Sequence, residues 1–157
     1  MSLGERISTD HQLTRLLQIG VVLEELVEAR AARHAESLAD DELRAFMEEA
    51  SAESADHRSR LEALIDDLDA ETVSFEEIET LVEAQYEADS EFDDVLYDQL
   101  CNEETAYKFY DDLIDAIEQS DGTFSIDRNR LLDTLKTIRA EEEAGVEAVT
   151  ELMEHGT

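Results

Sequence analysis

Five residues interrupt apolar helical stripes with side chains that can bind a cation: Glu24, Glu53, His57, Glu103 and Glu142. A helix position can be placed at about 100° per residue, and the apolar residues then define a core-facing direction. Leu13, Leu17, Gly20, Val27, Ala31, Ala35 and Leu38 form one such stripe. Glu24 falls within roughly 20° of its centre. Leu43, Phe46, Ala50, Leu61, Leu64 and Leu68 form a second, with His57 near its centre line. Glu53 lies one turn before His57, about 40° away. Glu103 sits in the middle of Phe92, Leu96, Tyr107, Tyr110, Ile114 and Ile117, and Glu142 in the middle of Leu131, Leu135, Ile138, Val146, Val149 and Met153. Several carboxylates cannot be buried together unless a cation or protons neutralise them. Iron and manganese accept mixed oxygen and nitrogen ligands, and bridging carboxylates hold two such ions close together.

A purely structural account stands beside this. With 43 acidic residues among 157, chance intrusions into an apolar stripe are expected. A mid-helix glutamate can also extend to the edge or pair with an arginine, for which Arg30 and Arg139 are the candidates. Each of the four glutamates lies near the midpoint of its own helix. In an antiparallel bundle midpoints share one layer, so the four would meet there beside one imidazole, and this clustering favours the metal.

The elements that must position these residues are four long segments of helical periodicity. They run from about Thr9 to Leu38, Asp41 to Leu68, Ser90 to Gln119 and Ile126 to Glu154. Each is roughly 28 residues, or about 42 Å at about 1.5 Å per residue. The tight Leu38–Asp41 link makes the first two a hairpin. Ser120-Asp121-Gly122-Thr123 is the clearest breaker and makes the last two a second hairpin. The stretch from Asp69 to Asp89 is long enough to cross between the hairpins. Within it Ser74 and Glu77 form a capping box, which predicts a short helix from Phe75 to Tyr86. Two hairpins joined by a long crossover make an all-α, ferritin-like antiparallel four-helix bundle in one domain.

Composition agrees with helices and excludes several functions. There is no proline, and there are only five glycines. The formal net charge of -31 leaves no basic face for nucleic acid and disfavours an anionic membrane surface. No window approaches a membrane span, and no apolar run near the start resembles a signal peptide, so a cytoplasmic location is expected. The acidic excess fits a surface adapted to a salt-rich cytoplasm, the pattern of halophilic archaeal proteins. The lone cysteine, Cys101, excludes an intrachain disulfide and any site built from several thiolates. It is expected to be a buried thiol pointing away from Glu103.

Helix three reads Glu103-Glu104-Thr105-Ala106-Tyr107-Lys108-Phe109-Tyr110-Asp111-Asp112-Leu113. This resembles the E-x-x-A-x-x-x-Y-x-x-L pattern of rubrerythrin-like members of the ferritin-like superfamily. Helix one is a looser version from Gly20 to Leu38, with Glu24 or Glu28 as the ligand candidate. Helix four, around Glu141-Glu142-Glu143, resembles the family's E-E-x-x-H helix, with Glu142 or Glu143 as ligand. Helix two, Glu53-Ser54-Ala55-Asp56-His57, resembles the other such helix. The resemblance implies a carboxylate-bridged di-iron centre that oxidises ferrous iron or reduces peroxide or dioxygen. Two departures bear on it. Val146 stands where the second histidine would be, and Ser54 stands three residues before His57, with Glu53 shifted by one. The single cysteine also leaves no residues for a four-cysteine rubredoxin-like module, and the electron donor is unidentified.

Three functions follow. One is a redox-active di-iron or di-manganese protein, a ferroxidase or peroxidase, held by Glu24, Glu53, His57, Glu103 and Glu142. Another is a metal-free bundle serving as a structural or interaction module. The third binds metal without turnover. Tyr110 is expected in the core, within reach of a ligand glutamate, and His34 on the flank of helix one. Long bundle faces also offer the area for a symmetric homodimer.

Overall fold

The computed structural model describes residues 7–72, 76 and 95–155. Among them there are four helices and no strand: α1 Asp10–Ser37, α2 Asp41–Asp66, α3 Val95–Glu118 and α4 Arg128–His155. The expected crossover helix from Phe75 to Tyr86 lies outside the described residues, Glu76 apart, as do Phe92 and the expected start of helix three at Ser90. No described helix is long and apolar enough to cross a membrane.

Short-range chemistry explains where the helices begin and end. Thr9 is the N-cap of α1, and its side chain accepts from the Gln12 N–H at 3.1 Å. Asp40 caps α2 by accepting from Glu42 and Leu43 N–H groups at 2.9 and 3.1 Å. Such a cap satisfies donors that have no partner inside the helix. Asp127 does the same for α4, so that helix starts two residues after the expected Ile126. Ile126 is instead buried, closing the core with Phe124 and Ile7. Helix α2 stops at Asp66, and Leu68 follows in the turn with its side chain still buried. Helix α3 ends at Glu118, just before the expected Ser120–Thr123 breaker.

Helix α1 packs along α2 and α3 along α4, with α1 meeting α3 and α2 meeting α4. The larger apolar layer includes Leu13, Leu17, Leu61, Leu64, Leu113, Ile114, Ile117, Leu131, Leu135 and Ile138. A smaller one holds Ala31, Ala35 and Met47, with Phe46 and Ala50 packed on it. Full burial of each large aliphatic side chain contributes about 1.5–3 kcal/mol. Eight expected core positions, Leu38, Leu43, Phe46, Ala50, Leu96, Tyr107, Val146 and Met153, are only half-buried. Met47 takes the fully buried place on α2, because the core direction there passes beside rather than through Phe46.

Between the two layers α1, α2, α3 and α4 contribute Glu24, His57, Glu103 and Glu142, all buried. Each is flanked along its own helix by residues of the larger layer, and it is this polar level that the fold positions.

Candidate metal centre

His57 is the hub. Both it and Glu24 are 0% exposed. Its Nδ1 lies 2.9 Å from Glu142 Oε1 and 3.6 Å from Glu24 Oε1. Its Nε2 lies 3.0 Å from Glu141 Oε1 and 3.9 Å from Glu53 Oε1. A carboxyl group at each nitrogen favours the doubly protonated ring, the imidazolium. Burial works against that charge, but the hydrogen bonds and charges of Glu142 and Glu24 outweigh it and push His57 far above its ordinary value.

Three of the surrounding carboxyl groups are raised as well, which for them favours the neutral form. Burial is the largest cause lifting Glu142 well above the usual carboxylate range. The Glu24 and Glu103 charges add to it against the opposing hydrogen bond from His57. Glu103 is also raised, by burial first and then by the charge of Glu24. Glu53 has a side chain 40% exposed, yet burial and the charges of Glu103, Glu141 and Glu24 push it up to about 7 despite the pull of His57. Tyr110 donates its hydroxyl to Glu24 Oε1 at 2.8 Å, and burial beside Glu24 and Glu142 holds that proton on the phenol. Gln99 Nε2 donates to Glu103 Oε1 at 2.7 Å.

Glu24 Oε2 is buried without a hydrogen-bond partner among the described residues. Such an atom is costly unless something else meets it. The buried Glu103 carboxylate meets that of Glu142, which can bond to it only while it keeps a proton. Two sets of ligand atoms lie within 4.8 Å of one another: Glu24, His57 and Glu142, and Glu53, Glu103 and Glu142. Glu142 belongs to both. Oxygen donors with one imidazole nitrogen suit iron or manganese, so the residues present fit a pair of such ions. With a cation on the Nδ1 side, the Nε2 proton of His57 would still be held by Glu141, which Arg60 holds in turn at 3.1 Å.

The structure thus brings together all five residues expected from the sequence. It leaves out the alternatives: Glu28 pairs with Arg58 at 2.8 Å, and Glu143 is exposed. Neither arginine considered as a neutralising partner serves the cluster. Arg30 reaches Asp98 at 2.9 Å and Arg139 reaches Asp111 at 2.8 Å. His34, on the α1 flank, joins the same Asp98 at 2.7 Å. Cys101 is half-buried rather than buried.

Three contributors were missed. Glu141 adjoins Glu142, and the acidic run at 141–143 was its only signal. Gln99 precedes Glu103 by four residues, the spacing at which helical side chains meet. The third is Gly145. Glu142 is the buried member of its run, so the residue three positions on is Gly145, not Val146. It is Gly145 that faces Glu103: a Cβ there would lie 2.8 Å from Glu103 Cδ. Val146 instead lines an open groove of about 650 Å³ between α3 and α4, with Tyr107 and Glu143.

No known protein family, curated protein or solved structure matches the chain.

Proposed function

We propose that the chain is a ferritin-like antiparallel bundle holding two iron or manganese ions through Glu24, Glu53, His57, Glu103 and Glu142. Its activity would be rubrerythrin-like, in iron oxidation or in peroxide or dioxygen reduction, in a salt-rich cytoplasm. The observation that carries this reading is the pair of ligand triads that share Glu142. When bound, the ions would supply the electron exchange with ferrous iron, peroxide or dioxygen. The protein's own groups would bind and orient. Glu142 would serve both ions, His57 would bind through Nδ1, and Glu141 would hold the Nε2 proton. Tyr110 would fix Glu24, and Gln99 would fix Glu103.

A second reading is a metal-free bundle acting as a structural or interaction module. The His57 imidazolium between Glu142 and Glu141 favours it, because it offsets part of the buried charge without a cation.

The deciding experiment is elemental analysis of protein purified in high salt and loaded anaerobically with ferrous iron. Close to two ions per chain, falling in Glu103→Ala, supports the first reading and makes peroxide and dioxygen turnover the next assay. A folded protein without bound metal removes the first reading and leaves the second.

A further inference from the structure

Gly145 lies inside α4, where glycine weakens a helix relative to alanine. Its backbone does not call for glycine, because no described glycine has a positive φ. The cause is a neighbour. The three atoms nearest to a Cβ at this position all belong to the Glu103 carboxylate: Cδ at 2.8 Å, Oε1 at 3.3 Å, and Oε2 closer than either. The end of Glu103 therefore lies on the α4 backbone, in space that any side chain at 145 would occupy. Gly145 is also three residues beyond Glu142, on the same helical face. The close approach is what brings Glu103 beside Glu142 and Glu53.

We propose that Gly145 is the positioning residue for Glu103, and that its missing side chain decides whether the centre holds two ions or one. This rests on the metal-binding reading above. The three atoms nearest a methyl group at 145 all belong to the end of the flexible Glu103 side chain. That end is expected to swing aside, giving up its bond from Gln99, so that the helix and the Glu24–His57–Glu142 triad survive. The Glu53–Glu103–Glu142 triad loses a member.

The test loads wild type, Gly145→Ala and Glu103→Gln with Mn(II) in high salt and follows three readouts. These are metal content, the electron paramagnetic resonance spectrum, and the thermal midpoint of the metal-free protein. Wild type is expected to bind two ions with an exchange-coupled spectrum. Both variants are expected to bind about half as much, with the spectrum of an isolated ion. Metal-free Gly145→Ala should melt no lower than wild type, since alanine strengthens the helix. Two coupled ions in Gly145→Ala would overturn this inference and leave the metal reading intact. Loss of helical structure in that variant would overturn it too, because Glu103 would then be unable to yield. No metal in wild type would overturn both.

Discussion

His57 on α2 and Glu142 on α4 are 85 residues apart in sequence, yet their Nδ1 and Oε1 atoms lie 2.9 Å apart. Both side chains are buried, so each constrains the other's charge. If the site takes a metal as proposed, a proton and a cation would compete for the space between them.

Glu142 belongs to both ligand triads, whereas each other member belongs to one. Glu142→Ala is therefore expected to lose all bound metal, and Glu24→Ala or Glu53→Ala about half. Elemental analysis after anaerobic ferrous loading measures this. Equal losses in all three variants would rule out a shared ligand.

The metal-free protein is expected to lose stability as pH rises. Glu53 has a folded value of about 7 against 4.5, so the folded state holds its proton more tightly than the unfolded chain. Its contribution is complete below about pH 4.5 and is lost as pH climbs to about 7. His57 is also raised, so its contribution is present below its unfolded value of 6.5 and is lost on passing the higher folded value. Thermal midpoints in high salt should fall between pH 5 and pH 8, and by less in Glu53→Gln. Added Mn(II) should raise the midpoint more at pH 8 than at pH 5, because fewer protons oppose it. An identical pH slope in Glu53→Gln would contradict the assignment.

Tyr110→Phe removes the short donor to Glu24 Oε1 and leaves that buried oxygen only the longer 3.6 Å approach of His57 Nδ1, beside an Oε2 with no partner among the described residues. The expected cost is about 1–3 kcal/mol in the metal-free protein. Chemical denaturation in high salt reads it directly. A cost near zero would mean that another donor replaces the phenol.

The net charge of -31 repels itself across a small bundle. Raising salt from about 0.1 to about 1 M shortens the screening length from about 10 to about 3 Å. The unfolding midpoint should therefore rise steeply over that range. A midpoint independent of salt would remove the argument for a salt-adapted surface.

Much of the scaffold is written locally. Helix formation follows from the absence of proline and from continuous periodicity, and the caps at Thr9 and Asp40 act within three residues of themselves. The interruption of apolar stripes by Glu24, His57, Glu103 and Glu142 is likewise visible in one dimension, because helical period converts spacing into direction. What that period cannot convey is distance across the bundle. Which glutamate of the run at 141–143 turns inward depends on the rotation of α4 against α2, a packing outcome worth about 100° per residue. Glu141 and Glu142 therefore take opposite nitrogens of one imidazole, while Glu143 faces out. Arg30 and Arg139 were equally open as partners until packing set them beside Asp98 and Asp111. The role of Gly145 was hidden for the same reason. A glycine carries no side chain to signal a contact, and only the tertiary structure lays the Glu103 carboxylate upon it.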